Sequence, residues 1–218
     1  MKVGTDGVLL GAWADCKNCD NILDIGTGTG LIALMMAQRS TANIHAVELD
    51  ENSAFQAKEN IQNSKWKDRI QVFNTAIQEF YPDMKYDLII SNPPFFKNCK
   101  KAPDYSRTMA RHTDLLSTSD LFKNTTRLLN EKGKAAFIFP FSEKEAVFEK
   151  SAFYKLHPVR ELIVIPVPGK KPKRFCIEFS LKKMNNIESN SLIIEEQRHQ
   201  YTKEYMALTK DFYLKMPG

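Results

Sequence analysis

Residues Asn21 to Arg39 read N-I-L-D-I-G-T-G-T-G-L-I-A-L-M-M-A-Q-R. A short apolar run is followed by glycines at alternate positions (Gly26, Gly28, Gly30) and then by an apolar segment of helical length, so the stretch spells strand, glycine loop, helix. Glycines in that place let the backbone come close to a ligand, because no Cβ stands in the way. A nucleotide-like cofactor is the natural occupant.

Reading outward, Ile44 to Leu49 has the composition of a second strand, with Asp50 and Asn52 opening a helix through Asn60. Glu48 falls at the end of that strand, where a carboxylate accepts hydrogen bonds from both hydroxyls of a ribose. A dinucleotide site shares this spacing, but Asp24 just before the loop disfavours a pyrophosphate and favours a ligand with a positive amino group. Further strands are predicted at Ile70 to Phe73, Tyr86 to Ile90, Lys134 to Phe139, Glu161 to Val167 and Arg174 to Leu181, and further helices at Gly7 to Ala14, Ser119 to Asn130 and Ser142 to Tyr154. The alternation implies an α/β protein with a mostly parallel sheet covered on both faces. The last two strands form an antiparallel hairpin around Pro168-Gly169-Lys170-Lys171-Pro172. Residues 1–184 are expected to form one domain. Residues 185–218 are expected to be a tail packed on it or extending it, beginning with a polar linker at Asn185 to Ser191.

With 43% apolar, 26% charged and 11% aromatic residues in a chain of 218, wholesale disorder is excluded. The longest apolar run, Leu31 to Ala37, is far short of the roughly 18 residues of a membrane-spanning helix. The N-terminus lacks the pattern of a secretory signal, so a cytoplasmic location is expected. Cys16 and Cys19 form a lone C-x-x-C without a second ligand pair, and the histidines are scattered, so no metal is expected. The net charge of +5 is mild. Its bases, however, gather in Lys97, Lys100, Lys101, Arg107 and Arg111, and again in Lys170, Lys171, Lys173 and Arg174, an arrangement suited to a polyanion.

Asn92-Pro93-Pro94-Phe95 ends the strand at Tyr86 to Ile90, on the same sheet edge as the glycine loop. The lone pair of an amide or base NH2 is delocalised, and its nitrogen attacks only when that pair is localised and aimed. The Asn92 side-chain oxygen and a carbonyl near Pro93 can each accept one N–H, held fixed by Pro93 and Pro94, which carry no competing donors. Phe95 is then placed to stack on a flat substrate.

Leu23-Asp24-Ile25-Gly26-Thr27-Gly28-Thr29-Gly30 resembles motif I of class I S-adenosylmethionine-dependent methyltransferases, whose fold is a Rossmann-like sheet, and Glu48 matches their ribose-binding acid. The resemblance implies that Asp24, Gly26, Thr27, Gly28 and Gly30 lie at the methionine end of the cofactor, with the adenine near Asn74 to Ile77, Thr75 and Ala76 foremost, and Asn92 is a further candidate cofactor neighbour. Asn92-Pro93-Pro94-Phe95 is similar to the signature of enzymes that methylate exocyclic or amide nitrogen. Three further segments (M-K-V-G-T-D-G-V-L-L-G-A-W at 1–13, A-R-H-T at 110–113 and Y-T-K-E-Y-M-A-L-T-K-D-F-Y-L-K-M at 201–216) resemble the bacterial tRNA1(Val) adenine-37 N6-methyltransferases.

That closer resemblance covers nearly the whole chain and adds Lys2 and Thr5 as cofactor neighbours. It implies a tRNA partner, for which Phe95 as a stacking ring, the clustered bases Lys97, Arg107, Arg111, Lys170, Lys171, Lys173 and Arg174 as phosphate contacts, and His112 are the candidate substrate-binding residues. Two departures stand out: the chain starts where relatives carry a short preceding segment, which implies a truncated start, and Asn74-Thr75-Ala76 offers no carboxylate to the adenine amino group. The same turn also serves rRNA adenine or guanine and protein glutamine N-methyltransferases, and a noncatalytic RNA- or cofactor-binding module is the alternative of another class.

Overall fold

The computed structural model describes residues 4–94 and 116–213. Strand β1 (Asn21–Ile25) is central and buried along nearly its whole length. It pairs in parallel with β2 (Asn43–Glu48) on one side and β4 (Tyr86–Ser91) on the other. The sheet continues through β3 (Ile70–Asn74), β5 (Leu129–Pro140), β6 (His157–Ile165), β7 (Arg174–Ser180) and β8 (Glu188–Ile193), in the order β3-β2-β1-β4-β5-β7-β6-β8. Only β7 runs against its neighbours, pairing its Phe175 with Phe139 of β5 and its Cys176 with Leu162 of β6. Expectation and structure therefore agree on a mostly parallel α/β sheet with an antiparallel C-terminal hairpin, and the β6–β7 loop emerges at the carboxyl edge, the edge at which β1 and β4 end.

Because strand side chains alternate between faces, the core has two halves. Ile22, Ile44, Leu88 and Ile90 meet α1 (Thr5–Trp13) and α2 (Leu31–Arg39) on one face. Leu23, Ile25, Ile89, Phe137, Phe175 and Phe179 meet α4 (Thr118–Leu128) on the other. Helix starts follow local chemistry. Asp50 accepts from Ser53 N to cap α3 (Glu51–Gln62), and Ser117 accepts from Asp120 N to cap α4. α5 is Lys144–Phe153.

Two expectations are corrected. The helix at Ser119 to Asn130 ends at Leu128, and β5 already begins at Leu129 rather than at Lys134. Gly133 lies inside β5 where the register against β4 shifts, and a Cβ there would stand 2.8 Å from the Tyr86 carbonyl oxygen. Asn185 to Ser191 is not wholly a linker either, since Glu188 onward pairs with β6 as an edge strand. After β8, a small hairpin of β9 (Glu195–Gln197) and β10 (Gln200–Tyr201) leads to α6 (Lys203–Thr209), whose buried Tyr205 joins the α1–α2 half of the core. Among the described residues, no helix is long and apolar enough to cross a membrane.

Candidate active site

After Ile25 the chain turns through three left-handed glycines, Gly26 (φ 69°), Gly28 (φ 58°) and Gly30 (φ 85°). A Cβ on Gly26 or Gly28 would meet nothing within 4 Å. These residues are therefore glycine for their backbone conformation and for the open space above them, not for packing. The loop is fixed from behind: Gly26 N and Thr27 N donate to Val47 O at 2.8 and 3.1 Å, and Gly30 N to Thr27 O at 3.0 Å.

Asp24 lies beneath this loop, wholly buried. Its Oδ2 accepts from Thr27 Oγ1 at 2.6 Å and from Ala33 N at 3.1 Å, which binds the loop to the first turn of α2. Its Oδ1 has no hydrogen-bond partner. Burial, with a smaller push from the charge of Glu48, raises the carboxyl to about 7 against the pull of those two hydrogen bonds.

Glu48 is held by two backbone donors, Gly28 N on Oε2 at 2.8 Å and Asp50 N on Oε1 at 2.9 Å. Each oxygen keeps further lone-pair capacity for a ligand hydroxyl. Asn74 supports the same turn, donating Nδ2 to Glu48 O and Leu49 O at 2.9 and 3.0 Å.

A cavity of about 400 Å³ opens over the loop. Of the residues assigned to the cofactor by sequence, Gly26, Thr27, Gly28, Glu48, Thr75, Ala76 and Asn92 line it. Asp24, Gly30 and Thr5 are not on its lining. Asp24 organises the loop from below, while Gly30 starts α2 and packs toward Ala57 and Ile61. Ile77, in the segment expected beside the adenine, also lines it, and residues not singled out from sequence complete the walls: Gly4 and Gly7 of the α1 region, Leu31, Leu49, Ser53, Gln78 and Leu116. Leu49 is 53% exposed, an apolar surface presented to the cavity. The spacing of Gly4 and Gly7, one helical turn apart, is the signal that would have found that wall.

β4 delivers Asn92 to the same place. Ser91 Oγ donates to Ile25 O at 2.7 Å, joining the ends of β4 and β1. Asn92 Oδ1 is buried without a hydrogen-bond partner, Pro93 is buried, and Pro94 reaches the cavity. A buried carbonyl oxygen left unpaired is costly, so this atom is poised for a donor from a ligand. The open glycine cradle, the tethered Glu48 and the unpartnered Asn92 oxygen together fit a ribose-bearing cofactor beside an NH2-bearing substrate.

Lys170, Lys171 and Lys173 are exposed in the β6–β7 loop, at the carboxyl edge shared with Asn92. Arg174 is turned inward: its Nε donates to Asp6 Oδ2 at 2.7 Å. Lys2, Phe95, Lys97, Arg107, Arg111 and His112 lie outside the described residues. Among the described residues, no group of three or more His, Cys, Asp or Glu side chains is placed to hold a metal ion.

A family model of the methyltransferase small domain matches residues 7–140. A tRNA1(Val) (adenine(37)-N6)-methyltransferase of Parabacteroides distasonis is 50% identical over 218 residues, covering 99% of this chain and 92% of its own. One of Trichodesmium erythraeum is 49% identical with the same coverage of both chains. Among solved structures, a predicted O-methyltransferase from Agrobacterium tumefaciens superposes with a TM-score of 0.70 at 19% identity, over 94% of this chain and 96% of that one. A glycopeptide N-methyltransferase complexed with S-adenosylmethionine gives 0.60 at 10% identity, over 83% and 89%. These structural likenesses speak for the fold, and the sequence likenesses for the family. Carrying the methyltransferase small domain over more than half its length and near 50% identity over almost all of it, the chain belongs to the tRNA1(Val) (adenine(37)-N6)-methyltransferase family.

Proposed function

We propose that this chain methylates the exocyclic N6 of an adenine in tRNA, with S-adenosylmethionine as donor and the adenine beside the anticodon of tRNA1(Val) as target. The observation that carries the reading is the buried, unpartnered Asn92 Oδ1 at the cavity wall. S-adenosylmethionine supplies the electrophilic methyl group when bound.

The rest is work for the chain's own residues. Glu48 holds the ribose hydroxyls, its carboxylate already aimed by Gly28 N and Asp50 N. Gly26, Thr27 and Gly28 give the cofactor backbone contact without side-chain obstruction, and Thr75 and Ala76 form the adenine side. Asn92 Oδ1 accepts one N–H of the target amine and a carbonyl near Pro93 the other, which aims the nitrogen lone pair at the methyl. No strong base is required, since the nitrogen sheds its proton after it has gained the methyl and become cationic. Phe95, next in sequence, is assigned to stacking on the unpaired base.

Lys170, Lys171 and Lys173, together with Lys97, Arg107, Arg111 and His112, are assigned to the RNA strand flanking that base. Residues 185–218 belong in this reading to the same folding unit as 1–184, since β8 extends the sheet and α6 packs into its core. A tRNA substrate places the enzyme in the cytoplasm. The test is incubation with labelled S-adenosylmethionine and total RNA and protein, followed by fractionation and mass spectrometry of the nucleosides. N6-methyladenosine in tRNA is expected; label confined to protein or rRNA overturns the reading.

A further inference from the structure

The two ends of α1 are held in different ways. At its carboxyl end, Arg39 Nη1 donates to Gly11 O and Ala14 O at 2.7 Å, Arg160 Nη2 donates to Trp13 O at 3.1 Å, and the Arg160 guanidinium lies 4.2 Å from the Trp13 ring centre. Just beyond, Asp15 N donates to the fully buried Glu178. At the amino end, Gly4 supplies no side-chain cap. Among the described residues, an ion pair between distant parts of the sequence ties this end, Arg174 Nε to Asp6 Oδ2 at 2.7 Å, with about a third of each side chain exposed (32% and 28%). Asp6 lies in the first turn, where a carboxylate also suits the helix dipole.

That first turn is a wall of the site. Gly4 and Gly7 line the cavity, and a Cβ on Gly7 would stand 3.8 Å from Asn92 Nδ2 and 3.4 Å from Leu31 Cδ2. A shift of this turn therefore moves the surface against which Asn92 is set, and misplacement of about 1 Å is enough to slow an aligned reaction by roughly a hundredfold. Arg174 starts β7 directly after the basic loop, yet its guanidinium points back to α1, with Nη1 also donating to Lys173 O.

We propose that Arg174 is a positioning residue for methyl transfer rather than a phosphate ligand: through Asp6 it holds the first turn of α1 against Asn92 and over the cofactor. The proposal rests on the reading of the cavity as the S-adenosylmethionine site and of Asn92 as the amine acceptor. It divides the four bases of the segment in two, with Lys170, Lys171 and Lys173 facing RNA and Arg174 serving the site.

The test is a cycle of Asp6→Asn, Arg174→Gln and the double variant, with the charge-swapped pair Asp6→Arg/Arg174→Asp beside it. S-adenosylmethionine affinity is read by calorimetry without RNA, single-turnover methyl transfer to a tRNA transcript by rapid quench, and tRNA affinity over a salt series. Each single variant is expected to weaken cofactor binding about three- to tenfold and to slow turnover by a similar factor, as suits a part-exposed pair. The double variant should be no worse than either single one, the swapped pair should recover at least part of the loss, and the tRNA salt slope should stay at its wild-type value.

Wild-type cofactor affinity and turnover in Asp6→Asn would overturn the proposal. So would a salt slope reduced by about 0.7–0.9 in Arg174→Gln with cofactor binding intact, the mark of a lost phosphate contact. Should the single variants unfold, the swapped pair decides: regained melting temperature without regained turnover means that the ion pair only stabilises the fold. If wild-type protein transfers no methyl to tRNA while the cofactor cycle behaves as expected, the positioning role stands and the tRNA assignment falls.

Discussion

At the β1 end of the carboxyl edge, polar groups are locked into short partnerships: Thr27 on Asp24, Gly28 and Asp50 on Glu48, Ser91 on Ile25. At the β6–β7 end of the same edge, Lys170, Lys171 and Lys173 stand exposed on a loop pinned by a few backbone hydrogen bonds, among them Lys173 N to Val164 O and Phe141 N to Lys173 O. The first region recognises by fixed geometry, in a buried setting where an unmatched atom is costly. In the proposed reading the second recognises by charge, in water, where position matters less and counterions compete. A small cofactor with one shape suits the former, and a long anionic strand the latter.

The widest expected difference is in pH response. The Asp24 carboxyl lies at about 7 in the folded protein against 3.8 for the free group, raised chiefly by burial. The folded state then holds the proton longer, so the stability tied to Asp24 is fully present below about pH 4 and is lost as pH rises through about 7. Relative to Asp24→Asn, wild-type protein should lose about 2–4 kcal/mol of stability across that window. Denaturant melts of both proteins at several pH values check this, and parallel curves would mean that the cradle does not bury a charge.

Asn92→Ala is expected to leave cofactor affinity nearly unchanged and to slow methyl transfer about a hundredfold or more, roughly 2.7 kcal/mol of activation. Single-turnover kinetics measure it, and near-normal transfer would break the assignment of this atom to the reacting amine. Glu48→Ala should weaken S-adenosylmethionine binding by roughly 1.5–3 kcal/mol, read by calorimetry, with the fold retained. Because Gly28 N and Asp50 N also lose their acceptor, a structure of the variant should show a loosened glycine loop. Unchanged affinity would make Glu48 a support of the loop only.

The smallest effect belongs to the solvated end. Replacing Lys170, Lys171 and Lys173 together by Gln should lower tRNA affinity about tenfold at moderate salt and reduce the log–log salt slope by about 2 units, with cofactor binding untouched. An unaltered slope would remove this loop from the RNA surface and leave the segment from Lys97 to Arg111 to supply the contacts.

The same division explains what the sequence discloses. β1 and α2 occupy Asn21–Ile25 and Leu31–Arg39, the boundaries that their composition predicts, because strand, glycine loop and helix are local signals. Glu48 and Asn92 were legible because each ends a strand, and a parallel sheet gathers strand ends on one edge. What escaped reading depends on distant partners. β8 has no apolar alternation at Glu188, Ser189, Asn190 and Ser191, and it becomes a strand through the hydrogen-bonding edge that β6 offers. β5 starts early because Leu129 finds Tyr86 across the sheet, and Gly133 absorbs the mismatch. The inward turn of Arg174 toward Asp6 spans most of the chain, so neighbouring lysines made it look like one more surface cation.

β8 has a bearing on how this protein behaves in company. A sheet that ended at β6 would present Leu162 and Val164 on an open ladder of backbone donors and acceptors, an invitation to any passing strand. Instead the edge of the sheet is β8, whose first four residues, Glu188 to Ser191, are polar or charged and exposed. Such a selvedge gives another chain little apolar surface to grasp, and at high cellular concentration it favours separate molecules over sticky ones.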